Sequence, residues 1–209
     1  LSEVFDAPGY QPPRLPAVAM ELMNLSSKPD VEFSALESVL EQDAMLAGEI
    51  LSVARSAFFG RTHRVSSLRE ALLRLGTDKL QPVVMQAAMN MRVFRSKTYT
   101  GSMEQRRVHS RATAHIARFV SQYTPIGEEQ AFMCGLLHDV GIAGILLTLG
   151  DVPPGKEPNL EVLWPSIHSV HSQAGAKMVE LWGLPEDLSI VVGAHHQVRI
   201  DGYPHPVAA

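Results

Sequence analysis

Two pairs of residues in this chain are costly to bury and are chemically useful. His138-Asp139 lies inside the apolar run Ala131-Phe-Met-Cys-Gly-Leu-Leu-His-Asp-Val-Gly-Ile-Ala-Gly-Ile-Leu-Leu147, and His195-His196 follows the apolar run Ile190-Val-Val-Gly-Ala194. An imidazole and a carboxylate in such a setting cost several kcal/mol unless something pairs with them. Metal ions and other polar side chains are the natural partners. Imidazole and carboxylate donors suit zinc, iron or manganese, while soft thiolate sites would need more than the single Cys134. Two outcomes stay open: a pocket with one or two divalent cations (iron, manganese, zinc or magnesium), or a pocket with no cofactor whose side chains pair with one another.

Two further histidines belong to the same argument. His109 precedes His138 by one helix, a turn and most of a second helix, so antiparallel packing can bring the two together. His171 shares a helical face with Ile167, Val170, Ala174 and Met178, which must look inward, and Gly175 one turn later allows close approach. The candidate ligand set is His109, His138, Asp139, His171, His195 and His196. These six are expected to share one cavity. If the cavity is catalytic, Asp139 is its central residue. His63, His115, His168 and His205 are read as structural or surface residues. On a continuous helix over 128–149, neighbours such as His138 and Asp139 point about 100° apart.

The elements that must position these residues read as helices. Short ones follow Leu15-Pro16 and Asp30, the latter as a cap, and another runs from Ala44 to Ala57. Ser67-Leu-Arg-Glu70 is a capping box, Gly76 a stop, and Thr77–Phe94 a further helix kinked at Pro82. Long helices are expected over 103–122, 128–149, 160–182 and 186–196, with a loop at 150–159. No strand run with turn punctuation is evident. The polar stretch 95–102 marks a boundary between two lobes, 1–98 and 99–209. Short isolated helices are marginal in water. The N-terminal lobe is therefore expected to pack on the second through residues such as Leu46, Ile50, Phe58 and Phe59.

Composition sets outer limits. In 209 residues the hydrophobic share is 45%, ample for a core, and the net charge is −4 with an isoelectric point near 6.1. There is no basic field to hold nucleic acid. The arginines at 61, 64, 69, 74, 106, 107 and 111 read as solvated helix faces. One cysteine fits a reducing cytosol, and Cys134 reads as inert core. No run reaches about 18 uninterrupted apolar residues, so a cytoplasmic protein off the membrane is expected. The chain starts at Leu1, so a missing neighbour domain is allowed for.

The pattern Gly135-Leu-Leu-His-Asp-Val-Gly141 resembles the signature of the HD superfamily of metal-dependent phosphohydrolases. His109-Ser110 resembles its first histidine, and His171-Ser-Gln-Ala-Gly175 that of its third helix. His195-His196 and Asp201-Gly-Tyr-Pro204 resemble features of the HD-GYP phosphodiesterase branch. The N-terminal half decides between branches. Leu15-Pro-Ala-Val18, Glu41-Gln-Asp-Ala-Met-Leu46, Arg55-Ser-Ala-Phe-Phe-Gly60 and Ser67-Leu-Arg-Glu-Ala-Leu-Leu-Arg-Leu-Gly76 together resemble the HDOD family, over residues 12 to 200.

That resemblance implies an all-α, two-lobed domain with an HD-like C-terminal lobe. It also implies a bacterial regulatory module that acts through a protein partner or a fused sensor or receiver domain, without catalysis. The alternative is a metal-dependent phosphodiesterase acting on a cyclic or linear nucleotide. Arg55 stands where the HDOD pattern has asparagine, which bears on a local hydrogen bond and not on the fold. Ile142 stands where the active phosphodiesterases have lysine, so a phosphate-neutralising cation is absent there. A last acidic ligand, which the active branch takes from a following helix, does not appear before Ala209. Oligomeric state is left open.

Overall fold

The computed structural model describes residues 12–55, 65, 67–153, 155–197, 199–200 and 203–204. They form an all-α fold that divides into two compact units: Leu15–Arg92, and Val93–Ala209 joined by residues 12–14.

The first unit holds α1 (Ala17–Ser26), α2 (Phe33–Leu40), α3 (Ala44–Ala54) and α4 (Leu68–Ala88). All three shorter helices pack on α4. Leu22, Leu36, Leu40, Leu46, Ile50 and Leu72 are completely buried. The Ser67 hydroxyl caps α4 by accepting from the Glu70 amide at 3.1 Å. The capping residue before α3 is Asp43, whose carboxylate accepts from the amides of Met45 and Leu46, both at 3.0 Å. The expected cap at Asp30 is not used: α2 starts after Glu32 without a side-chain cap. The chain breaks at Gly76, with φ 70 and ψ 163, a conformation only glycine holds cheaply. The kink expected at Pro82 therefore lies at Gly76, and Pro82 keeps helical dihedrals. A π-helical turn, Met89–Val93, follows α4. At the end of α3, Arg55 Nε donates to the Val65 carbonyl at 2.8 Å, a local tie made by the residue that departs from the family's asparagine. Leu46 and Ile50 are buried, and Phe58 and Phe59 lie outside the described residues.

The second unit holds α5 (Thr100–Ser121), α6 (Glu128–Leu137), α7 (Val140–Gly150), α8 (Leu160–Leu181) and α9 (Glu186–Ala194). Helix α5 lies along α6, α7 along α8, and α8 along α9, while α6 also meets α9 and α5 meets α7. Acidic residues open α6 (Glu128, Glu129) and α9 (Glu186, Asp187), where the helix dipole favours them. Asn159 caps α8. Trp182 ends it and donates its indole N–H to the Pro13 carbonyl at 3.0 Å, which ties residues 12–14 to this unit. A minimal hairpin, Arg199–Ile200 paired with Tyr203–Pro204, follows α9 and does not change the all-α class.

One expectation is corrected here: residues 128–149 do not form one helix. The run breaks into α6 and α7 at His138-Asp139. By length and hydropathy Glu128–Gly150 could cross a membrane, but 72% of its most apolar window is buried inside the protein. The 186–196 helix also ends earlier, at Ala194, which leaves His195 and His196 in a turn.

Helix α7 meets α8 at unusually close range. A Cβ on Gly141 would stand 1.9 Å from the His171 carbonyl oxygen, and one on Gly175 would stand 2.8 Å from Val192 Cγ1. Only hydrogen at these two positions lets α7, α8 and α9 come close enough for short polar side chains to meet.

Candidate metal centre

The break between α6 and α7 builds the centre of the site. Asp139 takes φ −101 and ψ 13 as the residue before α7, so its side chain leaves the direction a continuous helix would impose. Its Oδ2 comes within 3.4 Å of His138 Nε2. The two neighbours therefore converge where the expected helix would have held them about 100° apart.

All six expected ligand residues meet here. Asp139 Oδ2 faces His138 and, at 3.5 Å, His109 Nε2 from α5. Its Oδ1 faces His171 Nε2 from α8 and His195 Nε2 from the end of α9, each at 3.5 Å. His196 reaches the group through His171, with the two Nε2 atoms 3.0 Å apart. The donors fall into two triads, His109–His138–Asp139 and His171–His195–His196, each with its ligand atoms within 4.8 Å of one another. Asp139 spans both through its two oxygens. It is 8% exposed and His171 1%, whereas His109 stands partly in solvent.

The other ring nitrogens settle the tautomers. His138 Nδ1 is 2.8 Å from the Gly135 carbonyl, His171 Nδ1 is 2.7 Å from that of His168, and His195 Nδ1 is 2.7 Å from that of Val192. A carbonyl only accepts, so each Nδ1 carries the proton and donates it. In a neutral ring, Nε2 then presents a lone pair to the centre. This is the outer-shell arrangement that orients metal-ligating histidines. Its consequence is sharp at one contact: His171 Nε2 and His195 Nε2 lie 3.2 Å apart, lone pair against lone pair. Two acceptors at that distance need a cation between them, either a proton or a metal ion. Burial holds the proton affinity of His171 below the ordinary imidazole value, against the opposing pull of the His168 carbonyl and of Asp139.

Electrostatics at Asp139 agree with this. Burial alone would raise its pKa. Hydrogen bonds from His138 and His195, in the forms of those rings that carry a proton on Nε2, and the charge of His138 and His171 outweigh burial and hold the carboxyl well below the usual carboxylate range. Burial also lowers the pKa of His109 and His196. The donor set of five imidazoles and one ionised carboxylate thus fits a divalent cation in its charge, its donor chemistry and its tautomers.

One residue was misjudged from sequence. Arg106 is not a solvated arginine: its side chain is 22% exposed, its Nη1 lies 3.6 Å from Asp139 Oδ2, and its guanidinium carbon lies 5.8 Å from the centre of the Trp164 ring. The available signal was its place one turn before His109 on the same helix. His168 is exposed and touches the Trp164 and His171 rings, while His115 packs edge-on against Phe132. His63, His205, Asp201, Arg61 and Arg64 lie outside the described residues. Ile142 is wholly buried among apolar neighbours. Cys134 is buried, and burial first, then the charge of Asp187, pushes its thiol up to about 12, which leaves it unreactive at neutral pH.

Three known proteins resemble this chain over most of its length. An uncharacterised protein of Treponema pallidum (strain Nichols) is 26% identical, covering 89% of this chain and 38% of its own length. The chain therefore spans well under half of that relative. A crystal structure from Shewanella amazonensis SB2B, assigned as a metal-dependent phosphohydrolase, has a TM-score of 0.75 at 19% identity, covering 94% of this chain and 72% of its own. At that identity the likeness speaks to the fold. A structure from Marinobacter aquaeolei VT8, assigned as a signal transduction protein, has a TM-score of 0.68 at 25% identity, covering 94% of this chain and 46% of its own. The sequence itself matches the HDOD domain over residues 13–198, nearly its full length, and the chain belongs to the HDOD domain family.

Proposed function

We propose that this chain is a regulatory HDOD module of bacterial signal transduction, working in the cytoplasm, whose histidine pocket holds one or two divalent cations. An N-terminal lobe, 1–98, and an HD-like lobe, 99–209, make up the module, which acts through a protein partner or a fused signalling domain. Family membership and the likeness to a protein assigned to signal transduction support the regulatory part.

A single observation carries the metal part. The rings of His171 and His195 donate through Nδ1 to main-chain carbonyls and face each other through Nε2 at 3.2 Å. His109, His138 and Asp139 would hold one ion, and His171, His195 and His196 a second, with Asp139 serving both. Nitrogen-rich donors favour iron, manganese or zinc over magnesium. When bound, such ions would supply positive charge to a phosphate and lower the pKa of a water. The protein's own contribution is to fix the tautomers, shield the deep histidines from solvent and keep Asp139 ionised.

Phosphodiester hydrolysis is the second reading. The convergence of all six candidate ligands and the half-exposed His109 favour it. The buried apolar Ile142 speaks against it, since no cation can reach the pocket from that position.

Elemental analysis of the purified chain tests the main reading. At least one equivalent of manganese, iron or zinc is expected, falling sharply in His171→Ala. A chain that purifies without metal and takes none up on incubation with these ions overturns it.

A further inference from the structure

The side chains of His171 and His195 are 1% and 8% exposed, whereas that of His109 is 47% exposed and His196 is exposed as well. Solvent therefore meets both triads, and on the His109 side stand Arg106 and Trp164. Arg106 reaches in from α5 with Nη1 3.6 Å from Asp139 Oδ2. Trp164, near the start of α8, has the guanidinium over one face of its ring, 5.8 Å from the centre, and meets the His168 ring edge-on at 5.0 Å between centres.

With divalent ions bound, Asp139 would no longer need Arg106, because the ions would take the lone pairs of its two oxygens and of the imidazole nitrogens that face them at 3.4 to 3.5 Å. Once divalent ions share Asp139, a guanidinium beside them is repelled unless an anion lies between. A guanidinium is a planar fork of N–H donors that matches a phosphate, and an indole offers a broad face for a flat ring. In contact with each other, guanidinium over indole, the two groups suit two different parts of one molecule, the indole offering its free face.

The geometry points to Arg106 and Trp164 as a two-part receptor for a phosphate ester of a planar ring, a nucleotide in chemical class. Arg106 takes the phosphate and Trp164 stacks on the base. The inference rests on the pocket holding metal, because the ions are what release Arg106 from Asp139.

The test is calorimetric titration of the manganese-loaded chain with adenosine monophosphate, inorganic phosphate and adenosine. Adenosine monophosphate should bind more tightly than either fragment. Arg106→Gln should weaken adenosine monophosphate and phosphate by about tenfold or more, as for loss of a charged hydrogen bond, with manganese content unchanged. Arg106→Lys, which keeps the charge and loses the fork, should fall between the two. Trp164→Ala should weaken adenosine monophosphate and adenosine by about tenfold while leaving phosphate unaffected. Wild-type affinity for adenosine monophosphate in a folded Arg106→Gln, or an equal loss of phosphate binding in Trp164→Ala, would overturn the proposal. A wild-type chain that holds manganese and binds none of the three probes overturns it and leaves the metal reading standing. A chain that takes up no manganese overturns both.

Discussion

Gly141 faces the main-chain carbonyl of His171 so closely that a methyl group in place of its hydrogen would stand 1.9 Å from the oxygen. The obstacle is backbone, which cannot swing aside as a side chain can. Gly141→Ala should therefore push α8 away, cost about 3 kcal/mol at the upper end of the overpacking range, and displace His171 from its partners. Thermal melting and metal content should both fall. Gly175→Ala should be milder, since it meets the movable Val192 side chain. Equal and small effects from the two variants would contradict this picture of the helix contact.

His138→Ala should destabilise the metal-free chain by about 1–3 kcal/mol, because the buried Asp139 would lose a polar neighbour 3.4 Å away and the Gly135 carbonyl a donor. For a domain of this size that is a drop of roughly 2–4 °C in Tm per kcal/mol. Chemical denaturation with and without a chelator would measure it, and an unchanged midpoint would refute it.

Acid should weaken the metal-free protein. His109, His171 and His196 are held below the ordinary value of 6.5, chiefly by burial. As the pH falls below about 6.5, the unfolded chain takes up protons that the folded chain resists, so stability present above that pH is lost on acidification. Asp139, whose pKa is lowered from 3.8, adds a further loss in more acidic solution. Metal uptake should fall over the same histidine range, since protons compete for Nε2. Melting and elemental analysis between about pH 7.5 and about pH 5.5 would show both trends. A chain more stable at the acid end would reverse the argument.

Little or no turnover of cyclic dinucleotides is expected with manganese, iron or magnesium. The side chain at position 142 is an isoleucine sealed in the core, so no lysine-like charge stands there to neutralise a phosphate. Robust hydrolysis that disappears in Asp139→Asn would promote the enzyme reading over the regulatory one.

The convergence of these six side chains was legible in the sequence because polar groups in apolar runs must find partners, and histidines on neighbouring inward faces were the partners on offer. The break at His138-Asp139 was not legible. No proline or glycine stands between Leu136 and Val140, and an unbroken hydrophobic run looks the same whether it bends or not. Arg106 was lost for a related reason. Periodicity reports which face of α5 is polar, but only the approach of α8 and the α6–α7 turn makes one arginine on that face part of a pocket. Asp43 and Asp30 show the limit of cap reading: both are acids ahead of helices, and only the first places its carboxylate on free amides.

The six converging residues come from widely separated points of the chain, from His109 in α5 to His196 beyond α9. A pair of ions joined through Asp139 would act as a cross-link between them, closing most of the C-terminal unit into a loop and removing entropy from its unfolded state as a disulfide does. It could be seated only after α5 through α9 have come together, late in folding. Loss of the ions would then loosen α5 and α9 together, which gives this unit a means of turning the metal supply of its surroundings into a change of shape and persistence.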